Sequence, residues 1–404
     1  MDRRKFLELG AVTTGLLSLG HSPLAGSVTT DHSKARVIRY GTLGRTGIQI
    51  SDISFGSSRL RTGQEDLVRH ALDKGVNYFD TADSYTRGQS EKVIGNALQD
   101  VRDRITIVSK TQVRADTDRD AIMRALEESL RRLKTDYVDV FFNHAVNAVD
   151  RLINPEWYEF AERARRQGKI RFTGMSGHAG RLVEVLDHAV AEDLIDVMLV
   201  SYNFGQDPAF YESLTRSFDR IATQTGLPAV LARAKQKDIG VVAMKTLMGA
   251  RLNDMRAYEA AGATFAQAAF RWTLSNPNVD ALIISMTSAE QIDEYLGASG
   301  TTRMSQTDLN LLHRYVTLNG ATYCRQACND CAGACPYDVP IADVLRTRMY
   351  ATDYKDVEFA RLEYGALEVN AAACLDCSGK PCQSACSHGL DVSGLCAPTH
   401  RMLA

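Results

Sequence analysis

The chain has 404 residues and a formal net charge of −2, so its composition gives no sign of a nucleic-acid or anionic-membrane partner. Apolar residues make up 45% of the sequence, which is ordinary for a globular protein. No run approaches the roughly 18 apolar residues that span a bilayer, and we expect no integral membrane anchor in the mature chain. The length allows a barrel of about 250–300 residues and an appended module.

Residues 1–30 have the features of an export signal. Arg3 and Arg4 are followed by a mild apolar segment with glycine, from Leu9 to Leu19, and small residues surround Ala25. We interpret this segment as a twin-arginine signal peptide, which predicts a periplasmic or otherwise exported protein. An amphipathic helix or a general secretory leader is the alternative.

A hairpin and then alternating strands and helices are predicted after the leader. Residues 37–51 alternate around a glycine-rich turn, which favours a β-hairpin, and residues 52–56 form the first barrel strand. Strand and helix patterns then alternate with short connections, which is typical of parallel βα units. Further strands are predicted at residues 171–176, 196–202, 241–245 and 281–285, with a last barrel helix at 288–296.

Ionisable side chains stand where three of the predicted strands end. One strand ends on Asp80, with Tyr85 five residues later, another ends on Lys110, and a third ends on His144. A β/α barrel places its chemistry at the carboxyl ends of its strands. We therefore expect a carboxylate, a phenol, an amine and an imidazole to converge there, a set that can deliver a proton to a carbonyl oxygen.

Several motifs resemble, in order, those of the aldo/keto reductase family. They occupy residues 41–47, 79–82, 108–110, 129–133, 136–139 and 168–176. The resemblance covers about residues 39–296 and implies a TIM (β/α)8 barrel, which we assign to residues 37–300. It also implies hydride transfer between NAD(P)(H) and a small-molecule carbonyl or alcohol substrate.

The resemblance implies a catalytic tetrad, composed of Asp80, Tyr85, Lys110 and His144. Lys110 would lower the pKa of the Tyr85 phenol from about 10, and Asp80 would keep Lys110 charged. His144 would orient the carbonyl oxygen while Tyr85 protonates it. Taken singly, each residue has an ordinary structural explanation, and a barrel that keeps the residues without the activity is the alternative.

The resemblance also implies the cofactor contacts. The implied cofactor-binding residues are Gly56, Ser57, Ser58, Ser176, Lys245, Gln291 and Glu294. Gly177, Leu199 and Met244 depart from the family pattern, which has Asn, Gln and an aromatic residue there. The Lys or Arg pair that usually grips the 2′-phosphate is missing from residues 285–294. The choice between NAD and NADP therefore stays open.

The nine cysteines all lie at or after Cys324, which marks residues 305–404 as a separate module. Eight of them form two runs, Cys324, Cys328, Cys331 and Cys335, then Cys374, Cys377, Cys382 and Cys386. The spacing resembles bacterial ferredoxin runs and predicts a helical, ferredoxin-like module with two [4Fe–4S] clusters. The spacing does not decide which cysteine ligates which cluster, and zinc sites and disulfides are the alternatives. Cys396 is expected to be a free buried thiol.

These patterns together predict an exported oxidoreductase whose clusters pass electrons to a redox partner protein. A non-catalytic barrel in an exported electron-transfer or binding protein is the alternative. Phe204, Phe210 and Tyr211 are expected to pack on the barrel rim rather than line a pocket. His178 is interpreted as an ordinary loop histidine, and helical spacing across residues 341–364 predicts a helical bridge between the cysteine runs.

Overall fold

The computed structural model describes residues 32–178, 181–205, 226–248, 255–259, 263–319, 324, 330–352 and 355–404. The predicted signal peptide lies outside these ranges. Within them, the chain forms a closed barrel of eight parallel strands, with a two-stranded hairpin in front of it. The prediction of a parallel β/α barrel is confirmed. No helix in the described ranges is both long and apolar enough to cross a bilayer.

The hairpin closes the bottom of the barrel. Strands β1 (Tyr40–Thr42) and β2 (Gln49–Ser51) pair antiparallel, as the alternation predicted. Leu43 and Ile50 are fully buried and pack with inward-facing side chains of the barrel strands. Gly44 has a φ of 44°, and a Cβ there would overlap the backbone of Gly240. Only glycine fits this close approach of the hairpin to the barrel floor.

The barrel strands are short and almost wholly buried. They are β3 (Ile53–Gly56), β4 (Tyr78–Asp80), β5 (Thr106–Thr111), β6 (Val138–Asn143), β7 (Ile170–Gly177), β8 (Val197–Ser201), β9 (Gly240–Met244) and β10 (Ala281–Ser285). Strand β10 pairs with β3 and closes the ring. Parallel register aligns Asp80 with Val108 and Lys110 with Phe142. The carboxyl ends of neighbouring strands therefore meet on one face of the barrel.

Helices cover the outside of the barrel. They are α1 (Glu65–Asp73), α2 (Gln89–Leu98), α3 (Arg119–Leu133), α4 (Val149–Leu152), α5 (Pro155–Arg166), α6 (Leu182–Ala191), α7 (Leu227–Gln236), α8 (Phe265–Ser275) and α9 (Ala289–Leu296). Helix α3 shows why they form. Asp118 caps its N-terminus by accepting a hydrogen bond from the Ala121 amide, and Ile122, Leu126 and Leu130 bury one face.

In the described part of the chain after the barrel there are five α-helices. They are α10 (Gln306–Asn319), α11 (Ile341–Thr352), α12 (Val357–Gly365), α13 (Pro381–Ala385) and α14 (Val392–Leu403). Helix α10 packs on the barrel, where Tyr315 stacks on Phe265 with ring centroids 4.2 Å apart. The later helices have a core of their own, which includes Val344, Ala360 and Cys396. The helical spacing predicted across residues 341–364 is therefore realised as two helices, α11 and α12.

Candidate active site

A buried ion pair joins two neighbouring strands. Asp80 is the last residue of β4, and Lys110 lies near the end of β5. The Lys110 ammonium donates hydrogen bonds to Asp80 Oδ1 at 2.6 Å and to the Thr81 carbonyl at 2.7 Å. The two side chains are 0% and 1% exposed. Without the carboxylate, the ammonium would be a buried charge with no ionic partner, so the pair holds both strand ends in place.

Tyr85 lies in the turn after β4 and approaches this pair. Its hydroxyl is 3.4 Å from Lys110 Nζ, and the ammonium lies 4.7 Å from the centre of its ring. Thr86 and Arg87 follow with φ of 47° and 57°, an uncommon conformation for residues other than glycine. The Thr86 hydroxyl donates to the Leu60 carbonyl at 2.7 Å. This strained turn keeps the phenol beside the lysine.

His144 follows β6 and completes the group. Its backbone amide donates to the Thr111 carbonyl, and Arg151 donates to the His144 carbonyl at 2.9 Å. Its ring meets the Tyr85 ring edge-on, with centroids 5.6 Å apart at 79°. His144 Nδ1 is buried and has no hydrogen-bond acceptor or donor among the described residues. The structure thus brings all four residues of the predicted tetrad to one place.

Burial determines the protonation state of the Tyr85 phenol. Burial, followed by the charge of Asp80, raises the pKa of Tyr85 well above its usual value. The expectation that Lys110 would lower this pKa is therefore wrong for this structure. The adjacent Asp80 carboxylate compensates the lysine's charge, so the pair exerts little net positive field on the phenol. Tyr85 is thus a protonated hydrogen-bond donor.

The other three groups shift in the direction that burial imposes. Burial raises the pKa of Asp80 and lowers the pKa of Lys110, and in each case the partner's charge opposes the shift. Burial, then the positive charges of Lys110 and Arg151, lowers the pKa of His144 well below its usual value. At neutral pH the imidazole is therefore neutral, and its ring N–H can donate to an oxygen.

A cavity of about 1160 Å³ opens above the tetrad. This exceeds the roughly 300–1,000 Å³ of a typical ligand pocket, so the cavity has room for a dinucleotide and a second molecule. Most predicted cofactor positions lie on its wall: Gly56, Ser57, Ser58, Ser176, Lys245 and Gln291. Glu294 is not among the described residues that line it. Leu199 and Met244, which depart from the family pattern, also line the cavity.

The predicted cofactor-binding serines also support the catalytic strands. Ser57 donates to the Asp80 carbonyl at 2.6 Å, and Ser58 Oγ lies 2.9 Å from Ser285 Oγ. Ser176 Oγ accepts a hydrogen bond of 2.8 Å from the Ala145 amide, next to His144. The contacts of Ser57 and Ser176 tie the cavity wall to the residues of the tetrad.

The C-terminal module supplies the opposite wall of the cavity, which sequence reasoning missed. Asp343, Arg346 and Tyr350 of α11 and Glu363 of α12 line the same cavity as Tyr85 and His144. The spacing of Asp343, Arg346 and Tyr350 places them on one face of a helix. That spacing was a signal in the sequence, but it did not show what the face covers.

An ionic contact fixes the module to the barrel beside the cavity. Arg59 and Arg61, in the connection after β3, donate to the Asp356 carboxylate at 3.1 Å and 3.0 Å. Asp356 also caps α12 by accepting a hydrogen bond from the Phe359 amide. The loop that follows Gly56 is therefore attached to the first turn of a module helix.

Two other aromatic predictions have different outcomes. His178 lines the cavity, and burial, followed by the charge of Lys245, lowers its pKa well below the usual value, so the interpretation as an ordinary loop histidine understated its position. Phe204 is buried and packs against Phe265 and Trp272, as the rim-packing interpretation predicted. Phe210 and Tyr211 lie outside the described residues.

The cysteines collect around the module's own core. Cys396 is a buried free thiol, as predicted. Cys335, from the first run, is close enough to Cys374 and Cys382 for their charges to interact. No group of three or more His, Cys, Asp or Glu residues in the described ranges is arranged to hold a metal ion. Cys328 lies outside those ranges.

Comparisons with known proteins match the barrel. Residues 52–316 match the model of the Aldo/keto reductase family. The "Uncharacterized oxidoreductase YqkF" of Bacillus subtilis (strain 168) is 24% identical over 303 residues, covering 69% of this chain and 96% of that protein. L-galactose dehydrogenase of Arabidopsis thaliana is 25% identical over 297 residues, covering 65% of this chain and 88% of that protein. The solved structure of aldo-keto reductase AKR11C1 from Bacillus halodurans, in its holo form, superposes with a TM-score of 0.54 at 20% sequence identity. The match covers 69% of this chain and 96% of that chain and supports the fold.

Proposed function

Because this chain belongs to the aldo/keto reductase family and is an NAD(P)-dependent oxidoreductase, we propose that it interconverts a small-molecule carbonyl compound and its alcohol at the tetrad. The observation that carries the proposal is the contact of the Tyr85 hydroxyl with Lys110 Nζ at 3.4 Å, beside the His144 ring. A protonated phenol and a neutral imidazole at one cavity end are two donors that can hold one carbonyl oxygen.

The residues present fit a nicotinamide dinucleotide. Gly56, the two serines after it, Ser176 and Gln291 all line the cavity. When bound, the dinucleotide supplies or accepts the hydride. Ser176 would hold the carboxamide, and Gln291 would contact the adenine end. Lys245, another predicted cofactor position, lies on the same wall.

In our proposal, each tetrad residue has one task. His144 donates its ring N–H to the carbonyl oxygen and fixes the face that the carbon presents. Tyr85 gives its proton to that oxygen as the carbon is reduced, so the alcohol gains one hydride and one proton. Lys110 Nζ, 3.4 Å from the Tyr85 oxygen, donates a hydrogen bond to the phenolate that remains, and Asp80 keeps the ammonium in position.

The experiment for this function combines nucleotide analysis with Tyr85→Phe. Native protein, denatured and examined by mass spectrometry, should release NAD(H) or NADP(H), or the purified protein should bind one on titration. Carbonyl reduction should fall sharply in Tyr85→Phe without loss of nucleotide binding. Unaltered reduction by the variant would refute the role of Tyr85, and absence of any nucleotide binding would refute the cofactor.

We also propose that the module holds two [4Fe–4S] clusters that pass single electrons to a redox partner protein. Thiolates are the usual ligands of such clusters. Cys335 and Cys377 both lie close enough to Cys374 and Cys382 for their charges to interact, and in two-cluster ferredoxins the last cysteine of one run ligates the other cluster. We therefore assign these four cysteines to one cluster. The remaining four of the two runs would serve the second.

Anaerobic purification with metal and sulfide analysis tests the clusters. Iron and acid-labile sulfide in equal amounts, with broad absorption near about 400 nm, are expected. Stoichiometric zinc without iron would refute the assignment. Cys335→Ser should remove the spectrum of one cluster and leave that of the other.

Export by the twin-arginine route completes the proposal, on the basis of Arg3 and Arg4. Cell fractionation should find the protein outside the cytoplasm. Replacing both arginines by lysine should retain it inside, and an unchanged distribution would refute this route.

A further inference from the structure

The module faces the tetrad with one basic side chain in particular. Arg346 projects from α11 into the cavity, and its side chain is 17% exposed. Its charge acts on Tyr85, on His144 and on Lys245. Arg346 therefore lines the same cavity as the two rings that would hold a carbonyl oxygen, where it can meet another part of the same substrate.

The guanidinium of Arg346 retains capacity to bind another group. Its Nη2 lies 3.4 Å from Asp343 Oδ1, and its Nη1 lies 3.6 Å from Glu363 Oε2. Charge-assisted hydrogen bonds are usually about 2.7–2.9 Å, so both contacts are loose. Nε of Arg346 is buried and has no acceptor among the described residues. The two carboxylates and the Tyr350 hydroxyl steady the fork without satisfying all its donors.

Lys245 provides a second cation on the barrel side of the cavity. It follows β9 with a φ of 59° and lines the same cavity. Within the described ranges its ammonium has neither an ion-pair nor a hydrogen-bond partner. Burial, then the charge of Arg346, lowers the pKa of Lys245 to about 7. Two cations that repel each other across a cavity favour an anion placed between them.

We infer that Arg346 and Lys245 bind a negatively charged oxygen group, a carboxylate or phosphate ester, carried by the carbonyl substrate. The inference rests on the proposed reductase function for the carbonyl end, which lies against Tyr85 and His144. A planar guanidinium fork matches such a group with two parallel hydrogen bonds. The substrate class is therefore an oxo acid or a phosphorylated carbonyl compound, and the module selects it.

Equilibrium binding tests the anion site without any turnover. Glutarate, a dicarboxylate with no carbonyl to reduce, is titrated calorimetrically into wild type and Arg346→Met, with Arg348→Met as the control. Arg348 lies on the same helix and does not line the cavity. We expect glutarate affinity to fall about tenfold or more in Arg346→Met, to fall less in Arg346→Lys, and to be unchanged in Arg348→Met. No glutarate binding by wild type, or equal binding by Arg346→Met, would overturn the inference.

Substrate pairs test whether the anion belongs to the substrate. Succinic semialdehyde and its methyl ester differ in one charge, and the ratio of their kcat/KM values measures preference for the acid. Wild type should prefer the acid, and Arg346→Met should lose about tenfold or more of that preference, mainly through KM. The inference would be overturned if Arg346→Met kept the preference for the acid. It would also be overturned if the only loss in Arg346→Met were in affinity for NAD(P)H, because the cations would then bind the cofactor. If wild type reduces neither these compounds nor other oxo acids and phosphorylated carbonyl compounds, the proposed reductase function is wrong. The glutarate titration still tests the anion site in that case, because it needs no turnover.

Discussion

Asp80→Asn isolates the contribution of the buried ion pair. The wild-type carboxylate accepts a hydrogen bond of 2.6 Å from Lys110, and neither side chain is more than 1% exposed. An asparagine fits the same space but carries no charge. The Lys110 ammonium would then lack its ionic partner, and we expect it to lose its proton on folding.

The cost of that proton loss follows from the pH. Each unit between pH 7 and the ordinary lysine pKa of about 10.4 costs about 1.4 kcal/mol. We therefore expect the free energy of unfolding to fall by about 4–5 kcal/mol at pH 7, similar to the roughly 3–5 kcal/mol typical of a broken buried pair. The unfolded variant binds one proton more than the folded variant, so its stability rises with pH. The deficit should shrink by about 1.4 kcal/mol per unit from pH 6 to pH 8.

Urea unfolding, followed by circular dichroism at several pH values, measures this deficit. Asp80→Asn combined with Lys110→Met is the matched control, because it leaves no charge behind and should recover most of the stability. Neither variant should reduce carbonyl substrates at the wild-type rate. A deficit that stays constant across the pH range would refute the claim that Lys110 becomes neutral.

Three further outcomes are expected. Tyr85→Phe should lower kcat for carbonyl reduction by about 10²–10⁴, and a loss below tenfold in steady-state assays would contradict its role. Because the pKa of His144 is lowered and that of Tyr85 is raised, kcat/KM for an uncharged carbonyl substrate, which does not use Lys245, should show no inflection from about pH 6 to pH 8. An inflection near pH 6.5 with that substrate would contradict a neutral imidazole. Asp356→Ala removes a helix cap and the contacts with Arg59 and Arg61. We expect the stability of α12 to fall by about 1–2 kcal/mol and its amide hydrogen exchange to accelerate. Unchanged exchange in α12 would contradict the anchoring role.

The barrel and the tetrad were predictable from sequence for a physical reason. Apolar residues that face the core recur at a different spacing in strands and in helices. The alternation of strands and helices is therefore visible in the positions of the apolar residues. Parallel strands in register bring their ends together, so residues as distant as Asp80 and His144 could be assigned to one place. The resemblance then supplied the roles of these residues, which periodicity alone does not provide.

What could not be predicted depends on contacts between distant parts of the chain. The pKa of Tyr85 rises because burial, followed by the charge of Asp80, disfavours the phenolate, and no motif gives that effect. The sequence around Arg346 does not show that α11 faces the barrel mouth. Ser57 was assigned to the cofactor, yet its hydroxyl donates to the Asp80 carbonyl, a contact that becomes visible only in three dimensions.

Helices α11 and α12 form a cavity wall that is not part of the barrel. The reaction centre and the residues that contact the rest of a substrate can therefore change independently. In most β/α barrels, the loops that follow the strands both complete the reaction centre and choose the substrate. Here Arg346 and Glu363 face the tetrad from a unit with its own apolar core. Mutations in that unit can therefore change the lining of the cavity while the strand ends that hold the tetrad stay as they are. Recombining this barrel with modules from related chains would be a direct way to obtain new specificities.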